Sequence, residues 1–161
     1  MPVFNSLFYD SPAQNNQPSP AILANLGPIV PVEISIPGAL AELYTKQGHA
    51  LPQPKAGLAL VDTGASASCV DDEVITQLGV NPIRTAEIHG SAGQHQVNVY
   101  PAHLRFPSMP NFEIEFSAAF GVNINAQKVG DQPIIALLGR DLLTHCELTY
   151  NGTLGMFTLA F

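Results

Sequence analysis

Asp62-Thr63-Gly64-Ala65-Ser66 follows directly on the apolar run Gly57-Leu58-Ala59-Leu60-Val61, which reads as a buried strand. An Asp at the mouth of such a strand is either a capping group for the turn that follows or a carboxylate kept for chemistry. A second apolar strand, Ile134-Ile135-Ala136-Leu137-Leu138, leads into Gly139-Arg140-Asp141-Leu142-Leu143. Glycine at such a strand-to-helix junction lets another backbone approach closely. Other chemistries lack their residues. The histidines (His49, His89, His95, His103, His145) show no His-Glu-x-x-His spacing and Cys-x-x-Cys is absent, so no metal site is expected. Ser66 and Ser68 lie in Gly-Ala-Ser-Ala-Ser, without the second glycine of a nucleophile elbow. There is no phosphate-cradling loop and no dinucleotide fingerprint, and no cofactor is expected.

The elements that must position Asp62 are mostly strands. Val30, Val32, Ile34 and Ile36 alternate with Pro31, Glu33 and Ser35, the pattern of a half-buried strand. A polar connection over Tyr44–Lys55 separates it from the strand that ends at Asp62. Asp71-Asp72-Glu73 opens a short helix with Val74, Ile75 and Leu78 as its apolar stripe and Gly79 as its stop. Val97–Phe106 and Phe112–Phe116 read as strands, and Arg140–His145 as a second short helix. Glu147–Tyr150 and Thr153–Phe161 flank Asn151-Gly152, a two-residue hairpin signal. The expectation is a mostly β domain with two short helices over residues 27–161. Residues 1–26, with the Pro/Asn/Gln-rich stretch Ser11–Pro20, are expected to form a flexible extended arm ahead of it.

Taken in this order, Leu60-Val61-Asp62-Thr63-Gly64-Ala65-Ser66 and Leu137-Leu138-Gly139-Arg140-Asp141 resemble the two signatures of the retroviral-type (retropepsin-like) aspartic proteases. The resemblance covers roughly residues 29–161. It implies an acid-protease barrel with one lobe per chain and an activity of peptide-bond hydrolysis. Asp62 would be the catalytic carboxylate and Thr63, Gly64, Ala65 and Ser66 its loop, with Leu137, Leu138, Gly139 and Arg140 supporting it. Ile88-His89-Gly90-Ser91-Ala92-Gly93 matches the position of the family's flap, a mobile tip closing over a peptide; read on its own it is equally an ordinary hairpin turn.

The chemistry requires two carboxylates, one ionised to accept a proton from water and one protonated to polarise the carbonyl. Asp-Thr-Gly occurs once in the chain, so the resemblance implies a homodimer, with Thr63 bonding across the dyad. The alternative is a catalytically silent dimer of the same fold acting as a peptide-binding or scaffolding module. Two departures stand out. Many viral members carry an acidic residue where this chain has Ser66, which leaves Arg140 to pair with Asp71, Asp72 or nothing. The C-terminal hairpin lies within one chain, as in cellular and bacterial members.

Composition bounds the partners. Over 161 residues the charge is −7, and only 12% of residues are charged against 46% hydrophobic, which argues for a packed core. The basic residues (Lys46, Lys55, Arg84, Arg105, Lys128, Arg140) stand singly, so nucleic acid is not expected as a partner. No apolar run is long enough for a membrane helix. The first residues lack the features of a secretory signal, so Cys69 and Cys146 are expected as thiols in a cytoplasmic protein.

Overall fold

A computed structural model describes residues 2–9, 17–90 and 93–161. Among the described residues strands hold 48% and helices 17%, so the mostly β expectation is met. In chain order the elements are β1 (Val3–Leu7), α1 (Pro20–Leu26), β2 (Ile29–Ser35), α2 (Gly38–Lys46) and β3 (Lys55–Val61). They continue with β4 (Cys69–Asp71), α3 (Asp72–Gln77), β5 (Arg84–Gly90), β6 (Gly93–Arg105) and β7 (Glu113–Val122). The last are β8 (Lys128–Val129), β9 (Gln132–Leu138), α4 (Arg140–Leu143), β10 (Glu147–Asn151) and β11 (Met156–Ala160).

Alternation in β2 puts Val30, Val32 and Ile34 inside and Pro31, Glu33 and Ser35 toward the surface. Such a one-sided strand closes a barrel here. β2 pairs with β3 along one edge and with the end of β6 along the other, Ser35 opposite His103. The ring β2-β3-β9-β4-β7-β6 returns to β2, giving the closed six-stranded barrel that the resemblance implied, and β5 hangs from β6 as a hairpin arm. β3 and β9 read as continuous apolar runs because they lie side by side and parallel inside the sheet, Val61 opposite Leu138. The main core joins Ile34, Ala59, Tyr100, Leu104 and Leu138 to Ile75 of α3.

Two helices besides those expected are present. α1 starts at Pro20, which suits a first helical position. α2 has no fully buried residue, so the sequence carried little apolar periodicity to reveal it. It takes Tyr44–Lys46 out of the expected connection. The helix after Asp71 is as expected: the Asp71 carboxylate accepts from Val74 N–H at 3.0 Å, and Gly79 takes φ +79° just past its end.

The separate flexible arm is corrected by the structure. β1 pairs with β11 over Val3–Leu7, and Leu23 of α1 is fully buried. Phe4 and Phe8 lie against Phe157, with ring centres 5.7 and 6.4 Å apart. Composition misled because the Pro/Asn/Gln bias is strongest over 10–16, which lie outside the described residues, whereas the segments on either side carry apolar anchors. The C-terminal hairpin also differs from the two-residue turn. Asn151 pairs with Met156 across a four-residue connection, and the Asn151 side chain accepts from Leu154 N–H at 3.0 Å, a side-chain turn competing with the Asn-Gly type. Gly155 (φ +61°) closes it, and a Cβ there would stand 2.7 Å from the Ser19 carbonyl.

Candidate active site

Asp62 is delivered by a strand paired on both sides, with β2 and with β9. Ala59 and Val61 are buried, and the Asp62 N–H donates to the Leu138 carbonyl at 3.0 Å, extending the β3–β9 ladder by one bond. The chain then turns on the Asp62 side chain itself. Its Oδ1 accepts from Gly64 N–H at 2.9 Å and from Ala65 N–H at 3.2 Å. The capping reading of Asp62 is met: it caps its own turn, and the turn fixes the carboxylate. Asp62 is half-buried while Thr63 and Gly64 are exposed, so the carboxylate stands at the rim of the barrel with its loop open to solvent. A Cβ at Gly64 would lie 3.1 Å from Asp62 Oδ1.

The second segment holds this loop from behind. The Arg140 guanidinium donates to the Thr63 carbonyl at 2.8 Å and to the Gly64 carbonyl at 3.0 Å. The backbone N–H groups of Arg140 and Asp141 donate to the Ala65 and Ser66 carbonyls at 3.0 and 3.3 Å. That answers where Arg140 goes. Asp71 is occupied with the amides of Val74, Ile124 and Asn125, and Asp72 accepts from Tyr100 and Asn98. Arg140 instead clasps loop carbonyls. Leu138 is fully buried beneath the loop, and Leu137 faces a smaller apolar cluster with Ile134 and Ile124.

β5 and β6 form a hairpin whose register runs to Gly90 opposite Gly93. Ser91 and Ala92, the expected tip, lie outside the described residues. Gly93 takes φ +108°, a conformation that side chains resist. Between hairpin and loop is a cleft of about 370 Å³. Gly64, Ala65, Ser66 and Arg140 border it on one side and Ile88 and His89 on the other, so these loop and hairpin residues come together, while Asp62 and Thr63 do not line the cleft. Glu87 of the same hairpin lines it too, as do Ala67, Cys69 and Phe120, which the sequence reading had missed. The signal for Ala67 and Cys69 was their alternation with Ala65; Phe120 comes from β7 and had none.

Burial pushes the Cys69 thiol up to about 11, with the Asp141 and Asp62 charges adding to it. The thiol is protonated at neutral pH and serves the cleft as a small apolar wall. Cys69 and Cys146 are both free, Cys69 buried as expected and Cys146 half-buried. Among the described residues no cluster of three or more His, Cys, Asp or Glu side chains could hold a metal ion, and no helix is long and apolar enough to cross a membrane.

No protein-family model matches the chain, and no curated protein matches it. Among solved structures it is similar to the solution structure of Simian Foamy Virus (mac) protease, at 18% identity and a TM-score of 0.40, over 71% of this chain and 91% of that one. A likeness at that level assigns no activity, and the chemistry rests on the site's own geometry.

Proposed function

We propose that the chain is a homodimeric aspartic endopeptidase in which Asp62 of each subunit activates one shared water. The observation that carries this reading is the placement of the Asp62 carboxylate. It is half-buried and turned by the amides of Gly64 and Ala65, and the loop that carries it is braced by Arg140 and borders a cleft shared with a hairpin. A carboxylate serving only as a turn cap has no need of a second segment clasping its loop, nor of a cleft alongside.

Two such carboxylates brought together about 3 Å apart share one proton, because both cannot ionise at that distance. The ionised one takes a proton from water as the oxygen attacks the peptide carbonyl carbon. The protonated one donates to the carbonyl oxygen as the tetrahedral adduct forms. The first carboxyl then gives its new proton to the amide nitrogen as the C–N bond breaks, and the second takes back a hydroxyl proton as the acid product's C=O forms. Gly64, without a side chain, leaves room for substrate backbone, and Ile88, Cys69 and Phe120 favour apolar side chains next to the cleaved bond.

The test is cleavage of a mixed peptide library by the native chain and by Asp62→Asn, read by mass spectrometry. Cleavage by the native chain that vanishes in a folded Asp62→Asn variant supports the reading. Cleavage retained in the variant removes Asp62 from the mechanism. Peptides bound but never cut would make the chain a peptide-binding module instead.

A further inference from the structure

We propose that Asp141, acting through Ser68, is a positioning residue for the loop that carries Asp62. The inference rests on the reading of Asp62 as the catalytic carboxylate.

α4 is a single turn of four residues, too short to be stable by itself. Its second residue spans the gap between two chain segments. Asp141 Oδ2 accepts from Ser68 N–H at 2.9 Å, and Oδ1 accepts from the Ser68 hydroxyl at 2.7 Å and from Leu142 N–H at 2.9 Å. With its proton committed to Asp141, the Ser68 oxygen accepts from Gly139 N–H at 3.0 Å. The result is a closed hydrogen-bonded ring joining Gly139, Asp141 and Ser68, and Ser68 is only 2% exposed. Bonds to an ionised acceptor are stronger than neutral ones, and the two-oxygen fork fixes direction as well as distance.

Loop 62–68 is thereby held at both ends by three consecutive residues. Arg140 holds the Thr63 and Gly64 carbonyls near its start, and Asp141 holds Ser68 at its finish. Gly64 N–H and Ala65 N–H, the two donors to Asp62 Oδ1, lie between these grips. Beyond Asp62 the loop 62–68, with Ser66 within it, brings no carboxylate of its own to pair with Arg140. The anionic anchor comes from the helix side instead. Asn at 141 offers one accepting oxygen and sets an N–H₂ against the Ser68 N–H, so the fork cannot be reproduced without the charge.

The experiment uses the full chain in three forms, native, Asp141→Asn and Ser68→Ala, with two readouts. Amide hydrogen exchange at Gly64 and Ala65 is compared with that at Val32 and Leu104 in the barrel, and kcat and KM are measured on a peptide the native chain cleaves. The expected result is exchange at Gly64 and Ala65 faster by about tenfold or more with the barrel amides unchanged, together with kcat down about 10- to 100-fold and KM within about twofold. Native exchange at Gly64 and Ala65 in both variants overturns the proposal. So does a uniform rise across loop and barrel with kcat per folded molecule preserved, which is what a merely structural bond gives. If Asp141→Asn fails to fold, Ser68→Ala decides, since it keeps the carboxylate and the backbone bond. A native chain that cuts no peptide refutes the peptidase reading, while the exchange comparison still decides the clamp.

Discussion

A Cβ placed on Gly139 would stand 2.5 Å from the carbonyl oxygen of Ala67 and 2.8 Å from the nitrogen of Ser68. Both neighbours are backbone, so no side chain can swing aside. The φ of Gly139 is −84°, which any residue adopts, so the requirement for glycine is purely one of space. Gly139→Ala should therefore destabilise the chain by about 1–3 kcal/mol and loosen the Asp62 loop. Urea unfolding of the variant measures it; a native midpoint would show the two segments yield easily.

Dimer dependence tests the shared-water mechanism directly. Specific activity should fall on dilution as dimers separate, and Thr63→Ala should weaken association by about 1–3 kcal/mol if its hydroxyl bonds across a buried interface. Asp62→Asn chains mixed into the native protein should poison it. Activity should peak at acidic to mildly acidic pH, where the pair holds one proton; a profile still rising above about pH 8 argues for different chemistry. A monomer by sedimentation that cleaves at constant specific activity excludes the dyad.

The N-terminal segment should matter for stability. Leu23 is fully buried, and truncating such a leucine costs about 2–5 kcal/mol. Leu23→Ala should lower the unfolding midpoint accordingly, and removing residues 1–26 should do more, because β11 then loses its β1 partner. A truncated chain as stable as the native one would restore the reading of residues 1–26 as a flexible arm.

Gly93→Val probes the hairpin. Among the described residues nothing lies within 4 Å of a Cβ there, yet φ is +108°. The variant should suffer in turnover more than in melting temperature, because the strain falls on a hairpin bordering the cleft. Gly48→Val, with φ +72° and equally open space, is the comparison. Equal effects on turnover in both would place the closing element elsewhere.

The thiols set an alkaline limit. Burial raises both Cys69 and Cys146 from the ordinary 9.0 to about 11. Below pH 9 both are protonated in folded and unfolded chains alike. Above it the unfolded chain loses those protons first, so stability should decline as pH rises through the interval up to about 11. Urea midpoints across that range measure the decline. Since Asp62 adds to the Cys69 shift, Asp62→Asn should speed alkylation of Cys69 at fixed alkaline pH. An unchanged rate would mean that burial and the Asp141 charge protect the thiol without Asp62.

Strands whose apolar runs face a core were legible: Val30, Val32 and Ile34 by alternation, and Leu58–Val61 and Ile134–Leu138 by continuity. The Asp62 and Gly139 segments were legible because turn residues follow each of these runs at once. What escaped was set by partners distant in sequence. β1, Val-Phe-Asn-Ser-Leu, lacks the period-two alternation that would announce a strand and exists because β11 lies beside it. Asp141 looked like one more residue of a helix, and its role appears only when the fold brings Ser68 against it. Asp71 read as a first-turn carboxylate, but its burial follows from the Ile124 and Asn125 amides, which no local pattern ties to it.

The pairing of β1 with β11 bears on the order in which the molecule assembles. The Thr158 hydroxyl donates to the Asn5 side chain across a separation of 153 residues. Closing so long a loop carries an entropic cost that nearby pairings such as β5 with β6 largely avoid. The three-stranded sheet should therefore complete late, after the barrel has brought the hairpin of β10 and β11 into place. Until then Val3–Leu7 is an unpaired strand edge, the kind of surface through which one unfinished chain adheres to another. Refolding at high protein concentration is thus expected to lose yield at this step, while the loop around Asp62, built on β3 and β9, is already formed.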